Sequence, residues 1–184
     1  IQRGHESGKR AAMFCPGGGG GANITSPSVA DPKTGYLFVS SRSACSPILL
    51  VPGEEADLQY ELPTGTTYAR YASGPGAGAP RHPQGMPLFK PPFSRITAID
   101  MNTGEHAWVI PTGETPARVQ EVIDENNLDI PNTGTGALVP MVVTPSMLVY
   151  SDTSTDGTPI LYAVDKNTGE TLGSIEVPDR SRYG

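Results

Sequence analysis

The stretch Ala98-Ile-Asp-Met-Asn-Thr-Gly-Glu-His-Ala-Trp108 recurs later in the chain as Ala163-Val-Asp-Lys-Asn-Thr-Gly-Glu-Thr-Leu-Gly173. A shorter copy, Ala30-Asp-Pro-Lys-Thr-Gly35, lies near the start. A short unit that recurs in one chain is typical of repeat architectures, in which each copy builds one module of the fold. This repeat therefore decides the fold, and the rest of the chain has to be compatible with it.

Each full copy has the pattern of a β-hairpin. Residues 95–100 are rich in β-branched side chains and alternate in polarity, which favours a half-buried strand. Asp100 can accept hydrogen bonds from the turn amides, and Gly104 can adopt the positive φ that ends such a turn. The partner strand is predicted at 105–110, where Trp108 can bury a large apolar area against a neighbouring sheet.

The second copy predicts strands at 159–165 and 170–177. It has Gly173 where the first copy has tryptophan, so it lacks that docking side chain. Another hairpin is predicted within 28–41, with its turn at 31–35, and a short apolar strand is predicted at 48–51.

The spacing Ala-x-Asp-x-x-Thr-Gly-x-x-x-Trp resembles the repeat of the pyrroloquinoline quinone (PQQ) β-propellers. Three further blocks occur in the order found in membrane-type PQQ glucose and alcohol dehydrogenases, and together they span residues 13–184. The blocks are Cys15-Pro-Gly-Gly-Gly-Gly-Gly-Ala-Asn23 with 31–39 after it, Lys90-Pro-Pro-Phe-Ser-Arg95 leading into the repeat, and Gly134-Thr-Gly-Ala-Leu-Val-Pro-Met141 leading into 142–150.

This resemblance implies an all-β fold, a partial β-propeller of about three four-stranded antiparallel blades out of eight. In that family the repeat tryptophan of one blade docks onto the next blade. We expect residues 1–184 to form a single partial propeller domain, the C-terminal part of a larger chain, with a Pro/Gly-rich loop at 52–93. His82 lies in that loop, and no acid or nucleophile is patterned around it, so we do not expect it to be catalytic.

Composition agrees with many short strands joined by turns. The 184 residues include 22 Gly and 19 Pro, and only 36% are hydrophobic, which is low for a self-sufficient core. The net charge of −6 disfavours a nucleic-acid partner or an anionic membrane surface. No apolar run approaches the ~20 residues of a membrane-spanning helix.

One stretch changes to helical periodicity. In residues 114–124, Thr115 can cap a helix and Pro116 suits its first position. Val119, Val122 and Ile123 would share one face. We predict a short helix inserted between blades.

The five-glycine run at 17–21 allows close approach of the backbone to another group. It is not a dinucleotide-binding fingerprint, because no strand precedes it and no helix follows it. The resemblance implies that the nearby group is the PQQ cofactor and that Asn23 reaches it. A flexible loop is the alternative interpretation.

The resemblance also places Gly134, Thr135 and Gly136 at the top of the propeller, near the quinone. An ordinary turn between blades is the alternative there. The nearby sequence Asp152-Thr-Ser-Thr-Asp-Gly157 resembles the start of a calcium-binding loop. Its twelfth position is Ala163 rather than Glu, so we predict a hairpin loop with its turn at Asp156 and Gly157.

Cys15 and Cys45 can form one disulfide in an oxidising compartment, which would stabilise the fold by about 3–4 kcal/mol. Two free thiols are the alternative. The resemblance favours the disulfide, because the family works in the periplasm. The sequence contains no Cys-x-x-Cys motif or His cluster, so no metal site is expected in this segment.

The resemblance implies a PQQ-dependent (quinoprotein) dehydrogenase that oxidises an alcohol or sugar hydroxyl. Such chemistry needs PQQ as hydride acceptor, calcium to polarise its carbonyl, and a carboxylate base. In the family the base and the calcium ligands come from earlier blades, and no region here matches them. This segment is therefore expected to line the cofactor site, to carry no catalytic residue and to be inactive alone.

The expected partners are the remaining blades of the parent chain and a membrane quinone or cytochrome as electron acceptor. The expected compartment is the periplasm, with attachment to the inner membrane through another part of the parent chain. Two other functions compete. One is a non-catalytic PQQ-repeat propeller that acts as a protein-binding scaffold. The other, a carbohydrate-binding module, is disfavoured because the only tryptophan is in a docking position.

Overall fold

A computed structural model describes residues 13–15, 21–22, 26–52, 62–71 and 84–181. The described part of the chain consists mostly of β-strands with one helix, α1 (Ala117–Glu125). The strands are β1 (Met13–Phe14), β2 (Val29–Asp31), β3 (Tyr36–Arg42), β4 (Ser46–Pro52), β5 (Thr67–Tyr71), β6 (Ser94–Asp100), β7 (His106–Pro111), β8 (Met141–Val143), β9 (Met147–Thr153), β10 (Pro159–Asp165) and β11 (Thr171–Glu176).

The strands form three antiparallel sheets. Two have four strands each, in the orders β2-β3-β6-β7 and β8-β9-β10-β11, and the third has the order β1-β4-β5. The chain divides into two compact units, of which the larger holds both four-stranded sheets and α1. The expected fold class, an all-β partial propeller with one short helix, is confirmed.

The two full copies of the repeat occupy equivalent positions in separate sheets. Ala98 pairs with Trp108 between β6 and β7, and Ala163 pairs with Gly173 between β10 and β11. Both hairpins shift register just after that alanine. The two outer hairpins predicted from the repeat are therefore confirmed.

Trp108 fixes the first four-stranded sheet to the second. Its Nε1 donates a hydrogen bond of 3.1 Å to the carbonyl of Lys166, in the repeat turn of the second sheet. Its ring lies so close to Gly169 that a Cβ there would be 2.9 Å from Trp108 Cε3. The predicted docking of this tryptophan onto the next blade is confirmed.

The core lies between these two sheets. Its buried members come from strands of both sheets and from the segment that leads into β8, so neither sheet has a complete core alone. They are Phe38, Ile96, Ala98, Trp108, Val139, Met141, Leu148, Tyr150 and Val164.

The turns of all three repeat copies lie at one end of the two sheets, called here the turn end (residues 31–35, 100–104 and 165–169). The Met101 amide donates to the Gly35 carbonyl at 2.9 Å, which joins the first two turns. Asp31 forms an ion pair with Lys166, and each side chain is only 6% exposed. The short copy near the start of the chain therefore links the two sheets electrostatically.

The Asp31 ion pair gives a pH-dependent prediction. The Lys166 hydrogen bond, followed by that of the Lys33 amide, lowers the pKa of Asp31 from 3.8 to about 2. A carboxylate whose pKa is lowered on folding stabilises the fold above its unfolded pKa, and this contribution is lost as the pH falls from 3.8 to about 2. We expect Asp31→Asn to lower the melting temperature near neutral pH, with the difference from wild type shrinking across that acid range.

Thermal unfolding of both proteins as a function of pH measures this difference. In a Lys166→Met background the same substitution should lose most of its pH dependence, since the main cause of the shift is gone. A difference between wild type and Asp31→Asn that stays constant from neutral pH to about 2 would contradict the assignment.

The smaller unit contains part of the range predicted as a loop at 52–93. β5 lies inside that range and pairs with β4, the strand predicted at 48–51. The Pro/Gly-rich pattern of this range does not predict β5. Cys15 and Cys45 form a disulfide in this unit, with their Cα atoms 4.6 Å apart, so the disulfide alternative is confirmed.

The predicted helix is present as α1, and Val119, Val122 and Ile123 are buried as expected. Its predicted start is wrong. Pro116 occupies the cap position, and no side chain caps the helix. The Thr115 hydroxyl instead accepts a hydrogen bond from the Thr133 amide at 3.0 Å. Helix α1 falls short of the length and apolar character that crossing a membrane would require.

Candidate functional site

The candidate site lies at the opposite end of the two sheets from the turn end. It is called here the loop end, and consists of Ser94, Thr112, Gly113, Asp152 and the loop 132–137. β6 begins there and β7 and β9 finish there, so three strands fix its position. The backbone of Glu114 donates to the Thr153 carbonyl at 3.1 Å, which joins the two sheets at this end.

The backbone of loop 132–137 is held entirely by the protein around it. The Gly134 amide donates to Asn132 Oδ1 at 3.0 Å and the Thr135 amide to the Thr112 carbonyl at 3.0 Å. The Gly136 amide donates to Ser94 Oγ at 2.9 Å. These three amides are therefore already used and are not the donors for a bound ligand.

Gly134 is required by packing. Its φ is +68°, and a Cβ there would lie 2.6 Å from the Ser94 carbonyl oxygen and 3.2 Å from that of Thr112. Gly136 differs, because a Cβ there would meet only the Phe93 Cβ, at 3.7 Å. The loop is thus tightly packed at Gly134, whereas another group could approach its backbone closely at Gly136.

Buried hydroxyl groups form a hydrogen-bond network that packs against the loop 132–137. Thr112 donates to Ser94 at 2.8 Å, and both side chains are fully buried. The Thr133 amide and hydroxyl both reach the Thr115 hydroxyl, at 3.0 and 3.3 Å. Each of these buried polar groups has a hydrogen-bond partner. The network can therefore rigidify the loop without the free-energy cost of burying unpaired donors.

Asp152 is the buried charge of the loop end, with 0% of its surface exposed. Its Oδ2 accepts a hydrogen bond of 2.8 Å from the Thr135 hydroxyl, and its Oδ1 accepts one of 3.0 Å from the Thr153 amide. Arg180 Nη2 lies 3.7 Å from Oδ1. Burial raises the pKa of Asp152, and the charge of Arg180 and the Thr135 hydrogen bond oppose that rise.

Two stacked tyrosines lie beside Asp152 between the sheets. The rings of Tyr150 and Tyr162 are 5.0 Å apart and nearly parallel. Burial raises the pKa of Tyr150 above its ordinary value of 10.0, and burial raises the pKa of Tyr162 to about 12. Both phenols therefore stay protonated at neutral pH, and neither can serve as a general base there.

The structure brings together three of the four residues predicted to line a cofactor, Gly134, Thr135 and Gly136. The fourth, Asn23, lies outside the described residues, as do most of the glycine run and His82. A cofactor-lining role for all four stays a prediction. Among the residues that the structure describes, no group of three or more His, Cys, Asp or Glu side chains is arranged to hold a metal ion.

Sequence reasoning missed Asp152, Arg180 and the Ser94–Thr112 pair. The sequence predicts Asp152 in a hairpin loop; the hairpin is present between β9 and β10, but Asp152 itself lies in β9. One signal was available. Leu148, Tyr150 and Asp152 alternate along β9, so the carboxylate shares the buried face of the strand with two core residues.

Comparison with known proteins identifies a family. Residues 5–183 match the family model described as PQQ: Glucose/ethanol/alcohol dehydrogenase, beta-propeller domain. No curated protein matches the chain.

Proposed function

The chain belongs to the glucose/ethanol/alcohol dehydrogenase β-propeller family, and from that premise we propose that it is part of a PQQ-dependent dehydrogenase that oxidises an alcohol or sugar hydroxyl. The observation that carries the proposal is the family match over residues 5–183. Two four-stranded sheets joined through Trp108 support it, because they are adjacent blades of such a propeller.

Within this enzyme the loop end forms part of the wall of the cofactor site. PQQ, when bound, supplies the acceptor for the hydride equivalents of the substrate. The open surface at Gly136 fits a flat group, because only the Phe93 Cβ lies within 4 Å of a Cβ built there. Thr135 and Gly136 would contact the cofactor, while Ser94 and Thr112 hold the loop from behind.

The catalytic carboxylate and the calcium ligands are proposed to come from other blades of the parent chain. Asp152 is unsuited to the role of base, because it is fully buried and both of its oxygens accept protein hydrogen bonds. A base must come within hydrogen-bond reach of the substrate hydroxyl. The 184-residue chain alone is therefore expected to lack dehydrogenase activity.

We propose that a further blade covers the outer face of the second four-stranded sheet. Val142 and Ile175 are 59% and 62% exposed there, and a Cβ built on Gly173 would meet no atom within 4 Å. Exposed apolar sheet faces of this kind mark packing or interaction surfaces. On the resemblance alone, we propose that this chain is the C-terminal part of a membrane-type enzyme.

The proposed compartment is the periplasm, with attachment to the inner membrane through other parts of the parent chain and a membrane quinone or cytochrome as electron acceptor. The Cys15–Cys45 disulfide supports this location, because disulfides persist in oxidising compartments.

PQQ binding and turnover test the proposal. The full-length protein, purified without cofactor, is expected to bind added PQQ in a fluorescence titration. With calcium present it should then oxidise alcohols or sugars, with an artificial dye as electron acceptor. The 184-residue chain under the same conditions should give no turnover. A full-length protein that does not bind PQQ would instead support the scaffold function.

A further inference from the structure

We propose that Asp152 is a positioning residue for the loop 132–137, which it holds in its cofactor-lining conformation by accepting the hydrogen bond of the Thr135 hydroxyl. This inference rests on the proposed function, since it concerns the same cofactor site. It assigns a role to a residue that the chemistry of the dehydrogenase does not otherwise use.

The Thr135 hydroxyl connects Asp152 to the outer part of the loop. It donates to Asp152 Oδ2 at 2.8 Å and accepts the Ala137 amide at 3.3 Å. The peptide that follows Gly136 is therefore fixed through the Thr135 side chain, while the amide of the preceding peptide donates to Ser94 Oγ. Gly136 itself has a positive φ of 80°, which glycine adopts as readily as a negative one, so the contacts around it decide the conformation of the loop.

Asp152 is well placed to act as a rigid anchor. It lies near the end of β9, where it pairs with Ile160 of β10. A Cβ on Gly113 would lie 2.9 Å from Asp152 Cγ and 2.6 Å from Thr135 Cγ2, so the backbone of the first sheet presses on both partners. Movement of the carboxylate would therefore disturb Thr135 directly.

Stability alone gives no reason for a carboxylate at this position. Burying a charge is costly unless it is closely paired, and the nearest cation, Arg180, is at 3.7 Å with 29% of its side chain exposed. Arg180 also donates to the Leu138 carbonyl at 3.2 Å, directly after the loop. Asp152 thus contacts the loop at Thr135, and Arg180 contacts the residue that follows the loop.

The test compares variants that remove or retain the hydrogen bond. Asp152→Ala should raise the Kd for PQQ of the full-length protein about tenfold, the usual effect of losing a charge-assisted hydrogen bond. The Kd of Asp152→Asn should stay within about threefold of wild type. The Thr135 hydroxyl can accept as well as donate, so it can still form a hydrogen bond with the side-chain amide of the introduced asparagine. Asp156→Asn, in the exposed β9–β10 turn, is the matched control and should leave the Kd unchanged.

Thr135 supplies a second, independent comparison. Thr135→Val should weaken PQQ binding as much as Asp152→Ala. In the double variant Asp152→Ala/Thr135→Val the loss should remain about tenfold instead of multiplying, because both changes remove one interaction. If Asp152→Ala does not fold, as judged by circular dichroism, the comparison of Thr135→Val with Asp152→Asn decides.

The possible failures are distinguishable. A wild-type protein that does not bind PQQ overturns the proposed function, and this inference with it. A wild type that binds PQQ, with Asp152→Ala or Thr135→Val within about twofold of it, overturns this inference alone. Multiplicative losses in the double variant would also overturn it, because the two residues would then act separately.

Discussion

Replacing Trp108 with alanine is expected to destabilise the protein by about 3–5 kcal/mol, the range for truncating a large buried aromatic side chain. Trp108 is the side chain by which one blade fixes the next, and only 9% of its surface is exposed. The substitution removes its packing against Phe38, whose ring centroid is 5.6 Å away, and leaves the Lys166 carbonyl without its 3.1 Å donor.

Urea unfolding of wild type and variant, followed by far-ultraviolet circular dichroism, measures this loss. Val109 provides the matched control, because it is the next residue of β7 but is 46% exposed. Val109→Ala should change the free energy of unfolding by no more than about 0.5–1 kcal/mol. Equal effects of the two substitutions would mean that Trp108 does not join the blades as described.

The repeat could be interpreted from sequence because its chemistry is local. Asp100 accepts the Asn102 amide at 2.8 Å, Asp165 accepts the Asn167 amide at 2.7 Å, and each turn ends in a glycine of positive φ. All of these contacts join residues within five positions of one another. The spacing from alanine to tryptophan then follows from the register of a tight hairpin.

Contacts between residues far apart in the sequence could not be predicted from it. Strand β5 pairs with β4. It lies within a range rich in proline and glycine, and the composition of that range predicts a loop. Thr115 has the right residue type for a helix cap, but Pro116 takes the cap position and the amide of Thr133, 18 residues away, donates to the Thr115 hydroxyl. A tertiary hydrogen bond therefore outweighs the local preference of threonine for the helix cap.

The cofactor-lining role of Gly134, Thr135 and Gly136 stays a prediction, and the structure adds a packing requirement that the sequence does not show. The resemblance to the PQQ propellers places Gly134 near the quinone. In the structure Gly134 is buried, and the group that approaches it is the backbone of Ser94 and Thr112. The requirement for glycine at this position can thus come from protein packing alone.

The close packing of Gly134 leads to the second prediction with a large expected effect on stability. Gly134→Ala is expected to destabilise the protein by roughly 3 kcal/mol or more even without PQQ. Part of the cost is the left-handed φ of +68°, which penalises a residue with a Cβ by about 1–2 kcal/mol. The rest comes from the contacts of 2.6 and 3.2 Å to the Ser94 and Thr112 carbonyl oxygens, which a backbone can relieve only by moving two strand ends.

Gly136→Ala separates the two causes, since it shares a positive φ of 80° but would meet only Phe93 Cβ at 3.7 Å. Its cost should therefore be limited to about 1–2 kcal/mol of backbone strain. Thermal and urea unfolding of both variants without cofactor give the comparison. If Gly134→Ala were no more destabilising than Gly136→Ala, Gly134 would not be required by packing. A loss of stability for Gly134→Ala that appears only when PQQ is present would instead mean that the bound cofactor imposes the glycine.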